Sequence, residues 1–422
     1  MPIQSIHVEN FKSFSTLDID LTRFVIIIGS NAAGKSNFIS IFKFLRDIAR
    51  HGLINAISLQ GGSEYLMNAK IGPVRDLNIR VVYQPDPRTD VLARGGPGSP
   101  QIEVTSCESS YEFSLRFETG KPGFTITRDQ LIFGCTISVC GTGSLQEPGQ
   151  AGGKGEIRVS RVNGKVTYEV TIPDRCPLSK NEIIPIFFRG KKLPETGLLL
   201  ETVYGYPLPH MEKFFDRIAV YDIDPKIPKK GTATTGRLSL EEDAANLALI
   251  VKSIIDDPAK KRKFANLLMD ILPFVEDFAV GKFMDTTYIL TLKERYAKNL
   301  NLPASSLSDG TIIIFALVIA LYFEDRPFIV IEEPVSHIHP FLVGRVVAMM
   351  KEASEKKQVM ITTHSTDVVK HAALKDILLI SRDSEGYSVV SRPADKEEVR
   401  SFLENEIGID ELYVQNLLGI GS

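Results

Sequence analysis

Cysteine is scarce in this chain. Its four thiols, Cys107, Cys135, Cys140 and Cys176, have no paired zinc spacing and no accompanying histidines, so a zinc site is not indicated and buried or idle thiols in a reducing cytosol are expected. A long hydrophobic run is missing too. The longest, Ile312 to Phe323, has the length of a core helix and falls short of a bilayer span, so no membrane partner is expected. There is no excess of one charge: the net value of −3 does not advertise nucleic acid. The basic runs Lys226 to Lys230 and Lys260-Lys261-Arg262-Lys263 read as solvated helix faces or loops, with docking to DNA as the other reading. Met1 to Ser5 lack a basic region followed by an apolar stretch, so no secretory signal is read and a cytoplasmic location is expected. No sustained heptads occur between Leu240 and Phe283, which argues against a long coiled-coil arm.

What is present is ordinary in composition. At 422 residues, 43% apolar and 24% charged, the chain exceeds what one hydrophobic core usually holds, and two or three lobes are expected. Its most informative stretch is Val25-Ile26-Ile27-Ile28 followed by Gly29-Ser30-Asn31-Ala32-Ala33-Gly34-Lys35-Ser36. Four branched apolar residues read as a buried strand, and the next eight fit the phosphate-loop pattern G-x-x-x-x-G-K-[ST] at every specified position. The glycines let backbone N–H groups turn inward around a β-phosphate. Lys35 can reach the β/γ oxygens and the Ser36 hydroxyl can ligate Mg²⁺. A helix over Ile39 to Arg50 would point its positive end at the same anion.

Ile3, Ile6 and Val8 look like an edge strand leading into Asn10-Phe11-Lys12-Ser13-Phe14, and Leu17, Ile19 and Leu21 alternate as a second strand. Lys12 is placed either to meet nucleotide phosphate or base, or as a solvated turn lysine. From Leu77 to Val170 the period is two, which reads as an antiparallel sheet interrupted by the Gly/Pro-rich turns Gly95 to Pro100 and Pro148 to Gly153. Met211 to Tyr221 and Leu240 to Phe283 show helical spacing, with Ala244, Leu247, Ile250, Val251 and Ile254 as one packed stripe.

Three motifs arrive late. Leu307-Ser308-Asp309-Gly310-Thr311 precedes the apolar helix; Ser308 and Asp309 are good N-caps, and a Ser hydroxyl beside free N–H groups is also a phosphate-binding end. Phe328 to Ile331 read as a buried strand ending in Glu332-Glu333-Pro334. Two carboxylates there are costly without a cation, so Glu332 reads as holding Mg²⁺ through its water and Glu333 as general base, against a solvated strand end. Val359 to Thr363 form another buried strand ending in His364, which reads either as a ligand of the γ-phosphate or attacking water or as a satisfied structural histidine. All three sites lie where open α/β sheets place ligands.

This order of motifs resembles an ABC-type ATPase head, and the chain is similar to the stand-alone predicted ATPases related to RecF, to structural-maintenance-of-chromosomes heads and to the ATPase half of overcoming-lysogenization-defect nucleases. Asn10 to Phe14, Gly29 to Asn37, Leu307 to Thr311, Ile331 to Pro340 and Thr362 to Ser365 carry the resemblance; the middle of the chain does not. It implies an α/β fold: an ABC-type P-loop head of mixed and parallel sheet flanked by helices, with an antiparallel β lobe and a helical insertion. The expected divisions are 1–75 and 299–422 for the two parts of the head, 76–190 for the β lobe and 191–298 for the helical lobe. It further implies ATP and Mg²⁺ as cofactors, with the loop from Gly29 to Asn37 and Lys12 on the nucleotide. Ser308, Asp309 and Gly310 would touch ATP held by the opposite subunit, Ser36 and Glu332 would hold the metal, and Lys35, Glu333 and the switch residue His364 would act in catalysis. His339 matches the histidine after the acidic strand. Two positions depart from the family: Val335 stands where a further Glu is common, and Asp309 replaces the first Gly of transporter signatures. The implied assembly is a homodimer sandwiching ATP, possibly a higher oligomer, controlling DNA binding or a partner nuclease in repair or phage defence. A transporter nucleotide-binding subunit and a self-contained nuclease are the alternatives; too little chain follows His364 for a second nuclease domain.

Overall fold

The computed structural model describes residues 2–84, 89–93, 101–118, 123–140, 150–172, 192–201, 211–283, 286–297, 300–399, 408–415 and 417. The Gly95–Pro100 turn and Cys176 lie outside them. Two compact units divide the chain, and neither is one continuous stretch. The first comprises Met1–Thr22, Ser36–Arg217 and Asp383–Val390; the second comprises Arg23–Lys35, Ile218–Arg382 and Ser391–Ser422.

The first unit is an antiparallel sheet. It contains β1 (Ile3–Phe11), β2 (Phe14–Asp20), β4 (Leu77–Tyr83), β5 (Thr89–Ala93), β6 (Gln101–Phe117), β7 (Phe124–Cys140), β8 (Gln150–Val162) and β9 (Lys165–Thr171). They run in the order β2-β1-β4-β6-β7-β8-β9, with β5 beside β6. The period of two read from Leu77 to Val170 is therefore a real sheet, although Gln150–Gly153, read as loop, already belong to β8. Helix α1 (Lys35–His51) buries Phe38, Phe42 and Phe44; the Phe38 ring meets Phe14 and the Phe44 ring meets Phe11 and Phe113, all three on strands. Each fully buried phenylalanine contributes roughly 1.5–3 kcal/mol, so this seam is a principal stabiliser of the unit. The expected edge position of β1 is corrected: β1 pairs with β2 on one side and β4 on the other. Alternation reports that one face is buried, and a strand with a wet face alternates whether or not it has two neighbours. His7 and Glu9 belong to that open face.

The second unit holds β3 (Phe24–Ile28), β10 (Ala219–Tyr221), β15 (Phe328–Glu332), β16 (Gln358–Thr363) and β17 (Ile377–Arg382). These five pair in parallel in the order β10-β15-β16-β3-β17. All five residues of β3 and all six of β16 are buried, as strands covered on both faces are. The helix Asp309–Tyr322 is buried from Gly310 to Leu321, which explains its lack of a polar face. A smaller antiparallel sheet is built on the hairpin β12 (Val275–Phe283) and β13 (Thr287–Glu294), flanked by β11 (Thr232–Ala233) and β14 (Asn301–Pro303).

Helical spacing over Leu240 to Phe283 holds only in part. Leu247–Ile255 and Pro258–Ile271 are helices, and the Ala244 to Ile254 stripe is buried as expected, but Val275–Phe283 is a strand. A register shift between Val275 and Asp277 sets the buried residues Val275 and Phe278 three apart, and a bulged strand then imitates a helical period. Met211 to Tyr221 likewise divides into a helix to Asp216 and strand β10.

Candidate functional site: the ends of the parallel strands

Parallel pairing brings three polar strand ends into one row. Thr363 is in register with Ile28, and Glu332 with Thr362, so the chain leaves β3, β16 and β15 at neighbouring points carrying Gly29, His364 and Glu333. The phosphate-loop geometry follows at once. Gly29 has φ +156°, and a Cβ there would lie 2.3 Å from the carbonyl oxygen of Ile380, so only glycine lets the loop turn above β17. Gly34 has φ +120° and Ala32 φ +62°, and Ala33 N–H donates to Ser30 O at 3.2 Å. Ser30, Asn31 and Ala32 are exposed while Ala33 and Gly34 are buried. The α1 helix begins at Lys35, so its unsatisfied N–H groups open into the loop. Lys35 Nζ donates to Gly29 O at 2.7 Å and Ser30 O at 3.2 Å. Burial lowers its pKa from the usual lysine value, and the Glu333 carboxylate opposes that shift.

Glu333 is in the left-handed region at φ +44°. Its N–H donates to Thr362 O at 3.0 Å, which carries the β15–β16 ladder one residue past the strand and holds the turn. Both carboxylate oxygens then reach His364: Oε1 is 2.8 Å from the ring Nδ1, and Oε2 accepts from the backbone N–H at 3.3 Å. With Glu333 ionised, Nδ1 must be the donor. The arrangement is an anchored carboxylate with its partner imidazole mostly exposed (63%), beside a lysine on a phosphate loop.

Not every expected residue meets there. Ser308 Oγ accepts from Thr311 N–H at 3.1 Å and lies 2.8 Å from Thr311 Oγ1, so it caps its helix as the N-cap reading requires. A Cβ on Gly310 would be 2.6 Å from His337 O. Asp309 is ion-paired with Lys229 and lies 3.8 Å from His337 Nδ1; the Lys229 hydrogen bond holds its carboxyl below the usual range. The basic run Lys226 to Lys230 thus supplies a partner to the signature. His339 caps the Pro340–Ala353 helix, its Nδ1 accepting from Phe341 N–H at 3.3 Å.

In the first unit, Ser36 is exposed and its carbonyl accepts from Ser40 Oγ at 2.8 Å. Asn37 Nδ2 donates to Ser13 Oγ at 2.9 Å, and Ser13 Oγ lies 2.8 Å from Ser388 Oγ in a donation by the latter. Lys12 is left-handed at φ +48°, and burial followed by the charge of Lys43 lowers its ammonium.

Two residues of the second unit were missed. Arg382, at the end of β17, donates from Nε and Nη2 to Ala32 O at 3.1 and 2.9 Å; a cation closing an apolar strand was its only signal. Burial, then the Glu333 charge, raises the Tyr413 phenol pKa, and the Gly29 backbone opposes that shift. Nothing in its local sequence marks it.

The comparisons with known proteins fall on both ends of the chain. Residues 1–119 match the family described as "AAA ATPase domain", and residues 179–370 match "AAA domain, putative AbiEii toxin, Type IV TA system". The chain carries an AAA-type ATPase domain. No curated protein matches this ATPase. Among solved structures it is similar to the SMC head domain from Thermotoga maritima at 14% identity, TM-score 0.39, with 93% of this chain and 99% of that one covered. It is also similar to an Smc head domain with an extended coiled coil, bound to the C-terminal domain of ScpA, derived from Pyrococcus furiosus, at 14% identity and TM-score 0.40, over 96% and 99%.

Proposed function

We propose that this ATPase hydrolyses ATP with Glu333 as general base and His364 as the group that orients it, and that ATP joins two copies of the chain. The observation that carries this reading is the Glu333–His364 pair at 2.8 Å, one strand from the loop on which Lys35 sits within the Glu333 field. In the reaction, the Glu333 carboxylate accepts a proton from the attacking water while His364 keeps it aimed. Lys35, now spread over two loop carbonyls, is the cation for the β/γ oxygens. Mg²⁺, when bound, would neutralise phosphate charge, and the donors assigned to it, the Ser36 hydroxyl and Glu332 carboxylate, are the hard oxygen groups it prefers.

The dimer reading rests on the signature end. Ser308 is exposed and caps the start of a 14-residue helix, and that end suits the γ-phosphate of ATP held by a second copy. Loss of that phosphate would release the heads, so the dimer would act as a switch over DNA binding or a partner effector. The toxin–antitoxin description of the family matched over 179–370 favours a defence role.

Glu333→Gln is expected to bind ATP, lose turnover by about 10²–10⁴-fold and elute as a dimer with ATP in light-scattering chromatography. Lys35→Ala is expected to lose ATP binding. Turnover in Glu333→Gln equal to wild type would remove the base, and a monomer at saturating ATP would remove the sandwich. DNA affinity measured by anisotropy with and without ATP separates the DNA branch from the partner-effector branch.

A further inference from the structure

Strand β17 ends against the phosphate loop at two points. The Ile380 carbonyl occupies the space a Cβ on Gly29 would need, and two residues later the Arg382 guanidinium closes on Ala32 O with two N–H groups. Ala32 is the loop's only non-glycine residue with positive φ. That basin disfavours an L-residue by a factor of about ten, so something must hold it. A fork of two donors on one carbonyl is such a device, and guanidinium geometry suits it better than a lysine's single point. No motif covers Arg382, which lies 350 residues from Ala32 in sequence.

We infer, resting on the loop as the ATP site proposed above, that Arg382 is a positioning residue for ATP: by gripping the Ala32 carbonyl it keeps the loop apex left-handed, so that the backbone N–H groups are set for phosphate before ATP arrives. Its role is in binding and not in the chemical step. The strain at Ala32 makes the role testable apart from general stability, because glycine at position 32 needs no grip to adopt the same φ.

The experiment is a double-mutant cycle in the full-length chain, with KM for ATP, kcat and thermal midpoint measured for wild type, Arg382→Ala, Ala32→Gly and the double variant. Arg382→Ala is expected to raise KM about tenfold, the factor set by the left-handed basin, with kcat within about twofold and an unchanged midpoint. Arg382→Lys should fall between. Relative to Ala32→Gly alone, adding Arg382→Ala should raise KM no more than about twofold, since the basin no longer needs holding. An unchanged KM in Arg382→Ala, a fall in kcat without a KM change, or an equal tenfold effect in both backgrounds would overturn the inference; the last would make Arg382 a direct nucleotide contact. Should Arg382→Ala fail to fold, Arg382→Lys in both backgrounds gives the same comparison.

Discussion

Asp129 offers a test in which the size of the effect follows from one buried group. It sits on β7 with 2% of its surface exposed, its oxygens accepting from Tyr111 Oη at 2.9 Å and Leu199 N–H at 2.8 Å. Burial pushes its pKa up from 3.8 to about 7, against those two bonds. A folded value above the unfolded one means the native chain binds the extra proton. The stabilisation is therefore complete below about pH 4 and is lost as pH rises through about 7. At about 1.36 kcal/mol per decade of proton activity, the whole loss is roughly 4 kcal/mol, of which about 2.5 falls between pH 5 and 8. An asparagine side chain does not titrate, so Asp129→Asn should remove this slope while other titrating groups remain. Urea unfolding of both proteins at pH 5, 6, 7 and 8 gives the difference directly. It should shift in favour of the variant by about 2.5 kcal/mol across that range. Because Leu199 belongs to the Leu198–Glu201 segment held on Asp129 and Tyr111, its amide is the place to look for faster hydrogen exchange in the wild type above pH 7. A stability difference flat with pH would refute the burial argument.

Two further outcomes bear on the site. Gly29→Ala must move either the loop or the end of β17, since its Cβ falls 2.3 Å from Ile380 O; ATP affinity by titration should drop, and an unchanged affinity would contradict the geometry. Ser308→Ala removes the cap on Thr311 N–H and should cost about 1 kcal/mol in urea unfolding. If the same hydroxyl also serves ATP on a partner, turnover at saturating ATP should fall further than that, and a loss limited to stability would leave only the cap.

The parts of the candidate site were legible where they are written in contiguous residues. Gly29 to Ser36, the Ser308 cap and the acidic end of β15 were all readable, because a phosphate loop needs fixed spacing and a cap needs one residue type. The parallel sheet was legible for a related reason: Val25 to Ile28 and Phe328 to Ile331 are apolar on every side. Burial of both faces leaves that mark. What escaped was long-range or conformational. Arg382 reaches Ala32, Lys229 reaches Asp309 and Tyr413 reaches Gly29, and no local pattern encodes a partner 80 or 350 residues away. The bulge in β12 hid a strand behind a helical period, and the two-sided pairing of β1 could not be told from alternation.

Strain links the missed residues to the recognised ones. Among the described residues of the second unit, non-glycine positive φ occurs at Ala32, Ala244 and Glu333, and two of the three are the apex of the phosphate loop and the assigned base. Such residues persist only where their surroundings over-determine them. At Ala32 the support comes from β17 through Arg382; at Glu333 it comes from β16, through Thr362 O for the backbone and His364 for the carboxylate. β3, the strand that launches the loop, lies between those two supports. Ala32 and Glu333 are thus held from opposite neighbours of one strand, so the two strained positions depend on separate bonds. Loss of the Arg382 grip should therefore appear in binding and leave the Glu333–His364 pair intact, and loss of the His364 ring should leave Ala32 where it is.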